Sequence, residues 1–186
     1  TTKTESEYIG YFLEISRKAL QSQVAFLGIV RHNEGTIAIY KASTDDDASC
    51  FLNENPVIIS LVQSGLLGAV VQSQKLMNID DYSNYQNRGG YPEGSVSLTN
   101  FLSVPVFRSG IVTLVAAVAN KPQPYDQDDT NYLITLSNEL WNLLERKKAE
   151  SERIRLETLE RLNEVKNELL SNVSHELRTP LTSIKG

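Results

Sequence analysis

Asn100-Phe101-Leu102-Ser103-Val104-Pro105-Val106-Phe107, Arg108-Ser109-Gly110 and Ile111-Val112-Thr113-Leu114-Val115-Ala116-Ala117-Val118-Ala119 form one stretch, two apolar runs around three turn-forming residues. Runs of this length, rich in Val, Leu and Phe and parted by Ser-Gly, predict two paired strands inside a sheet. Upstream, Val24–Arg31 and Thr36–Lys41 repeat the arrangement around His32-Asn33-Glu34-Gly35, a second hairpin signal. Tyr8, Tyr11, Phe12, Ile15, Ala19 and Leu20 recur at helical spacing and predict a helix over about 4–21. Residues 43–54 read as a polar loop. Asn55-Pro56 has the form of a helix start, leading into Val57–Gln63. Gly65 and Gly68 flank a further helical piece reaching Gln74, and Leu76–Ile79 reads as a short strand. A long loop over about 83–97 follows, of the kind that compact domains keep for function.

Downstream, Asn120–Tyr125 forms a turn, and Asp126 or Asp128 caps a helix carrying Leu133, Leu136, Leu140 and Leu144 on one face. The helix is expected to run to about Thr179. Its later part sets Leu159, Leu162, Val165, Leu169 and Val173 at three- and four-residue steps among charges, the pattern of a two-stranded coiled coil and a parallel homodimer. The stripe lapses between Glu145 and Arg153. The expected fold class is therefore α+β: an antiparallel sheet flanked by helices, then a long coiled-coil helix. The expected segments are 1–146 for the globular body, 147–168 for the coiled-coil linker and 169–186 for the start of a further domain.

Composition narrows the function. Of the 186 residues, 40% are hydrophobic, enough for a real core, and no apolar run approaches a membrane-spanning length. Residues 1–144 hold nine basic and fifteen acidic side chains, so no basic patch is available for nucleic acid. The single cysteine, Cys50, excludes an intramolecular disulfide framework and fits a reducing, cytoplasmic setting. His175-Glu176 begins like a zinc-protease helix, but Thr179 stands where a second histidine is required. With His32 the chain has only two histidines, and no metal-binding spacing results.

The run Ser174-His175-Glu176-Leu177-Arg178-Thr179-Pro180-Leu181 resembles the H-box of sensor histidine kinases, the block that holds their phosphoacceptor histidine. At about 100° per residue, His175 falls roughly 160° from Val173 and 120° from Leu169, opposite the apolar stripe. A solvent-facing imidazole, titrating near neutrality, suits phosphoryl transfer. The resemblance implies that His175 takes the γ-phosphate of ATP, that Glu176 serves as the neighbouring base and that Thr179 helps place water for dephosphorylation. It also implies partners: an ATP-binding domain of the same protein and a response regulator. This segment has no ATP-binding boxes and is expected to be inactive alone.

Gly90-Tyr91-Pro92-Glu93-Gly94, Phe101–Phe107, Val118-Ala119-Asn120-Lys121, Tyr125-Asp126 and Trp141–Lys147 resemble the GAF domain, a ligand-sensing module found upstream of histidine kinases. Tyr40, Tyr82, Tyr91 and Phe101 are candidates to line its pocket or to fill its core. Asn120-Lys121 with Tyr125 and Asp126–Asp129 is similar to a motif of cyclic-nucleotide-binding GAF domains. The alternative is a structural lock between Lys121 and an aspartate at the helix start. A bilin is not expected, because Cys50 lies in the wrong region and has no adjacent histidine. Some GAF domains of sensor kinases bind haem, for which Cys50 or His32 would supply an axial ligand; otherwise Cys50 is inert and His32 a solvated turn residue. The body is thus expected either to sense a ligand or partner, or to serve as a dimerisation scaffold.

Overall fold

The computed structural model describes residues 4–43, 56–84 and 97–183, with residues 84 and 175–183 described by secondary structure alone. The chain divides into two compact units, Thr1–Asn142 and Leu143–Gly186.

The first unit opens with α1 (Glu5–Ala19). Thr4 caps it in a reciprocal box: Glu7 N donates to Thr4 Oγ1 at 3.3 Å, and Thr4 N donates to Glu7 Oε2. Strand β1 (Val24–Arg31) then pairs antiparallel with β2 (Thr36–Ser43). A single 3-10 turn at His32–Glu34 joins them, and Gly35 at φ 63° supplies the left-handed residue that closes it.

Residues 57–63 correct the expected helix. Val57–Ser60 is strand β3, paired antiparallel with Thr36–Ile39 of β2, and only Leu61–Gln63 turns helically. Pro56 suits the first turn of a helix, but three consecutive β-branched residues lying beside the open edge of β2 gain a ladder instead. Helix α2 (Gly65–Ser73) follows and ends at Gln74, φ 57°. Gly68 lies inside α2 rather than at its end, where a methyl group would run into the Leu61 carbonyl and the Ser64 hydroxyl.

Strands β4 (Met77–Ile79), β5 (Phe101–Arg108) and β6 (Ile111–Ala119) complete a six-stranded antiparallel sheet of order β3-β2-β1-β6-β5-β4. The opening hairpin of the sequence analysis thus lies within the sheet, β6 between β1 and β5. Pro105 is tolerated in β5 because β4 pairs only with Phe101–Ser103, and among the described residues no strand pairs with the rest of that edge. Between Val106 and Phe107 the register shifts, leaving Thr113 bulged.

Alternation divides the sheet's two faces. On one, α2 brings Leu66, Leu67 and Val70 against Val24, Phe26, Ile37, Phe101, Val115 and Ala117. On the other, α1 covers β1 and β2 and buries Ile9, Phe12 and Leu13.

Helix α3 (Gln127–Ser183) carries the chain from the first unit into the second. Asp126, not Asp128, is its cap: Asp129 N donates to Asp126 Oδ1 at 2.9 Å and Asp126 N donates to Asp129 Oδ2 at 3.0 Å. In the first unit α3 buries Leu133, Ser137 and Leu140. In the second, Leu159, Leu162, Val165 and Leu169 stand 53–61% exposed along it.

Candidate functional site

The sheet's α2 side holds two of the candidate pocket aromatics. Phe101, the first residue of β5, is fully buried in the α2 cluster, and Tyr82, half-buried, packs against that cluster. Tyr82 N also donates to Thr99 O at 2.7 Å, which ties residues 82–84 to the chain entering β5. Tyr40 does not join them. It pairs with Leu27 and stands one residue from Ile39 and three from Ile37, both α2-side positions, so alternation turns it to the α1 side. There burial, and next the charge of Glu5, push its phenol pKa up. The grouping of Tyr40 with Phe101 and Tyr82 is therefore corrected by strand parity. Cys50 and Tyr91 lie outside the described residues.

A polar corner sits where β5 begins and β6 ends. Asn120, at φ 62°, accepts from Thr99 N at 2.8 Å through Oδ1 and donates through Nδ2 to Ser97 O at 2.9 Å and Gln23 Oε1 at 3.3 Å. Asn100 reciprocates, accepting from Lys121 N at 2.9 Å and donating to Lys121 O at 2.8 Å and Gln123 O at 3.2 Å. Lys121 Nζ reaches Asp129 Oδ2 at 2.5 Å and lies 5.7 Å from the centre of the Tyr125 ring. Tyr125 in turn shares a 2.7 Å hydrogen bond with Ser22, and its carbonyl accepts from Asn78 Nδ2 at 3.0 Å. The lysine–aspartate lock is thus present. An open cleft of about 500 Å³ beside this corner is lined by Gln23, Asp80, Asn100, Asn120 and Lys121 among others. Sequence reasoning singled out Asn120 and Lys121 but missed Asn100, Ser22 and Asn78, whose partners are remote in the chain.

His32 is not merely a solvated turn residue. It is exposed, yet its Nε2 bonds the Val112 carbonyl at 2.7 Å and fastens the β1–β2 turn to β6. That bond commits Nε2 to the protein and gives the ring a structural role at the turn. Among the described residues no group of three or more His, Cys, Asp or Glu side chains is placed to hold a metal ion. Nor is any described helix long and apolar enough to cross a membrane.

His175, Glu176 and Thr179 all fall within α3, which continues through Pro180 to Ser183. Immediately before His175, Ser174 Oγ donates back to Leu170 O at 2.7 Å, and Val173 remains 45% exposed.

Comparison with known proteins agrees with both parts. Residues 2–145 match the GAF domain family, and residues 165–186 match the His Kinase A (phospho-acceptor) domain. The methyl sulfide methyltransferase-associated sensor of Methanosarcina acetivorans is 30% identical over 130 residues, 69% of this chain but 13% of that protein. The chain thus spans about an eighth of that relative's length. Among solved structures, the GAF domain of an Acinetobacter phosphoenolpyruvate-protein phosphotransferase is similar at TM-score 0.64 and 20% identity, covering 80% of this chain and 87% of that one. The GAF domain of a two-component sensor histidine kinase from Bacillus halodurans is similar at TM-score 0.60 and 13% identity, covering 81% and 99%. At such identities these two structures speak for the fold alone.

Proposed function

The chain belongs to the GAF domain family and carries, on the helix that leaves that domain, a His Kinase A phospho-acceptor segment; from this premise we propose that it is the sensor-to-transmitter part of a two-component histidine kinase. In this reading residues 1–146 are the sensor, 147–168 a coiled-coil linker and 169–186 the start of the phosphoacceptor domain. The sensor responds to a small ligand or a partner and controls phosphorylation of His175, which passes its phosphoryl group to a response regulator. The observation that carries the reading is the His Kinase A match around His175, on the same helix that packs Leu133 and Leu140 into the GAF core.

The chemistry follows from an imidazole. A ring nitrogen of neutral His175 offers its lone pair to the γ-phosphorus of ATP, an N–P bond forms, and the P–O bond to ADP breaks. The ring proton passes to Glu176, the neighbouring base, as positive charge develops on the imidazole. Thr179, one turn on, shares the helix face of His175 and positions the water that later cleaves the N–P bond. The ATP is held by a further domain of the kinase. Two copies pair through the exposed stripe at Leu159, Leu162, Val165 and Leu169, so that the two phosphoacceptor helices lie side by side.

Incubating the intact protein with ATP labelled in the γ position tests this. The expected product is acid-labile, alkali-stable phosphate on His175, absent from His175→Gln. Label that persists in His175→Gln, or none in the unaltered protein, overturns the reading.

A second reading has its own observation. Phe101 is fully buried and Tyr82 packs against the same cluster, so two of the expected pocket aromatics serve as core. That favours a GAF body acting only as a dimerisation scaffold. Native mass spectrometry of the protein as purified separates the two, since a co-purifying small molecule supports sensing and a bare mass supports the scaffold.

A further inference from the structure

The β5–β6 turn makes a contact with α3 that the expected function does not use. Arg108 closes β5, and its planar guanidinium spreads over three oxygens. Its Nη2 donates to Asn142 Oδ1 at 2.6 Å, and its Nη1 donates to Phe107 O at 2.7 Å and to Asn138 Oδ1 at 3.5 Å. Asn138 and Asn142 stand four residues apart on one face of α3. Asn138 is held further by its own bond from Nδ2 to Ile134 O, 2.9 Å.

Three features make this more than a surface contact. Asn142 is the last residue of the first compact unit, so the grip falls on the final turn of α3 within the GAF domain. The gripping residue ends the strand that begins with Phe101 on the α2 face, so β5 runs from the expected sensing face to the helix. And the β-bulge at Val106/Phe107 sets the Arg108 end of β5 apart from the regular ladder before it. All three acceptors are neutral. A lysine in place of Arg108 would offer a point charge without the fork that spans both asparagines.

We propose that Arg108 is a positioning residue that couples the GAF sheet to the phosphoacceptor helix by holding Asn138 and Asn142. The proposal rests on the kinase reading of His175 for its functional half, and on the Arg108 geometry alone for its structural half. A shift of β5 moves the guanidinium and with it the last turn of α3 inside the domain. Loosening and tightening the grip then have opposite consequences, which a merely stabilising contact would not produce.

The chain supplies its own reporter. Trp141, adjacent to Asn142, is the single tryptophan, and its indole Nε1 is buried without a hydrogen-bond partner among the described residues. In the full chain, Arg108→Ala is expected to admit water to this turn and shift the Trp141 emission to the red. Amide exchange over 134–142 should rise by roughly 5- to 10-fold. Asn142→Asp gives the guanidinium a carboxylate and should slow that exchange. In the intact kinase with ATP, the two variants should move the level of phosphorylated His175 in opposite directions, each by roughly 3- to 10-fold.

Unchanged Trp141 emission and exchange in Arg108→Ala would overturn the grip itself. A loosened turn with unaltered phosphorylation, or both variants moving it the same way, would overturn the coupling. No phosphohistidine in the unaltered protein would overturn the kinase reading instead, and the Trp141 emission and amide exchange would then decide for or against the grip. Arg108→Lys, which keeps the charge and the aliphatic stem, guards against a variant that fails to fold and is expected to fall between wild type and Arg108→Ala.

Discussion

The two parts of α3 are made of the same residue types and meet opposite surroundings. Leu133 and Leu140 are buried to 0% and 6% exposure, whereas Leu159, Leu162, Val165 and Leu169 remain 53–61% exposed. The difference lies in what faces each leucine, since helix periodicity is present in both. The first half buries its stripe within a unit built by the same chain. The second half of α3 is charged on its other faces and leaves its stripe uncovered, so its stability should depend on concentration, as for any helix whose partner is another molecule.

Substitutions in each half test that contrast. Leu133→Ala should cost roughly 2–5 kcal/mol in thermal or urea unfolding, independent of protein concentration, because it opens a cavity in a packed core. A concentration-dependent loss would break the comparison. Asn120→Ala removes the bonds to Thr99, Ser97 and Gln23 and leaves a residue poorly suited to φ 62°. It should cost about 2–3 kcal/mol. Asn120→Gly, which accepts the backbone angle, should lose visibly less than Asn120→Ala, and equal losses would show that the backbone angle plays no part.

Tyr125 offers a pH handle. Burial raises its phenol pKa far above the ordinary value of 10.0, and the bond to Ser22 opposes this only partly. The folded state thus holds this proton more tightly than the unfolded chain. Its contribution to stability is fully present below pH 10 and is lost as pH rises through that value toward the raised one. Tyr125→Phe should cost about 1 kcal/mol at neutral pH and flatten the alkaline loss, which unfolding measured from neutrality upward would read. The smallest effect on the first unit is expected from Leu162→Glu. Melting of the GAF domain should stay within about 0.5 kcal/mol of wild type, while sedimentation equilibrium should show the dimer gone. A dimer that survives would place self-association elsewhere on the molecule.

Much of this was legible along the chain because it is local. The β1–β2 and β5–β6 hairpins follow from apolar runs around short turns. Helix α1 follows from apolar residues at helical spacing, and the phosphoacceptor segment from eight contiguous residues. Residues 57–60 were misread because Pro56 sends a helix signal, while the open edge of β2 that captures them is distant in sequence. Tyr40 and Phe101 are both aromatic strand residues, and nothing in composition says that they point to opposite faces. Counting parity from Ile37 and Ile39 decides it, but only once β2 is known to lie against the α2 cluster.

The sequence alone determined the family, the strand pairs closed by short turns, the helical stripe and the phosphoacceptor segment over 165–186. Each is written in neighbouring residues, at the period of one helix or strand. Only the tertiary structure decided that Asn100 and Asn120 lock the corner, that Ser22 meets Tyr125 and that Arg108 grips Asn138 and Asn142. Those contacts join residues from 21 to 103 positions apart. Such pairs cost loop entropy to assemble and are set by how the whole sheet registers, which no local pattern encodes.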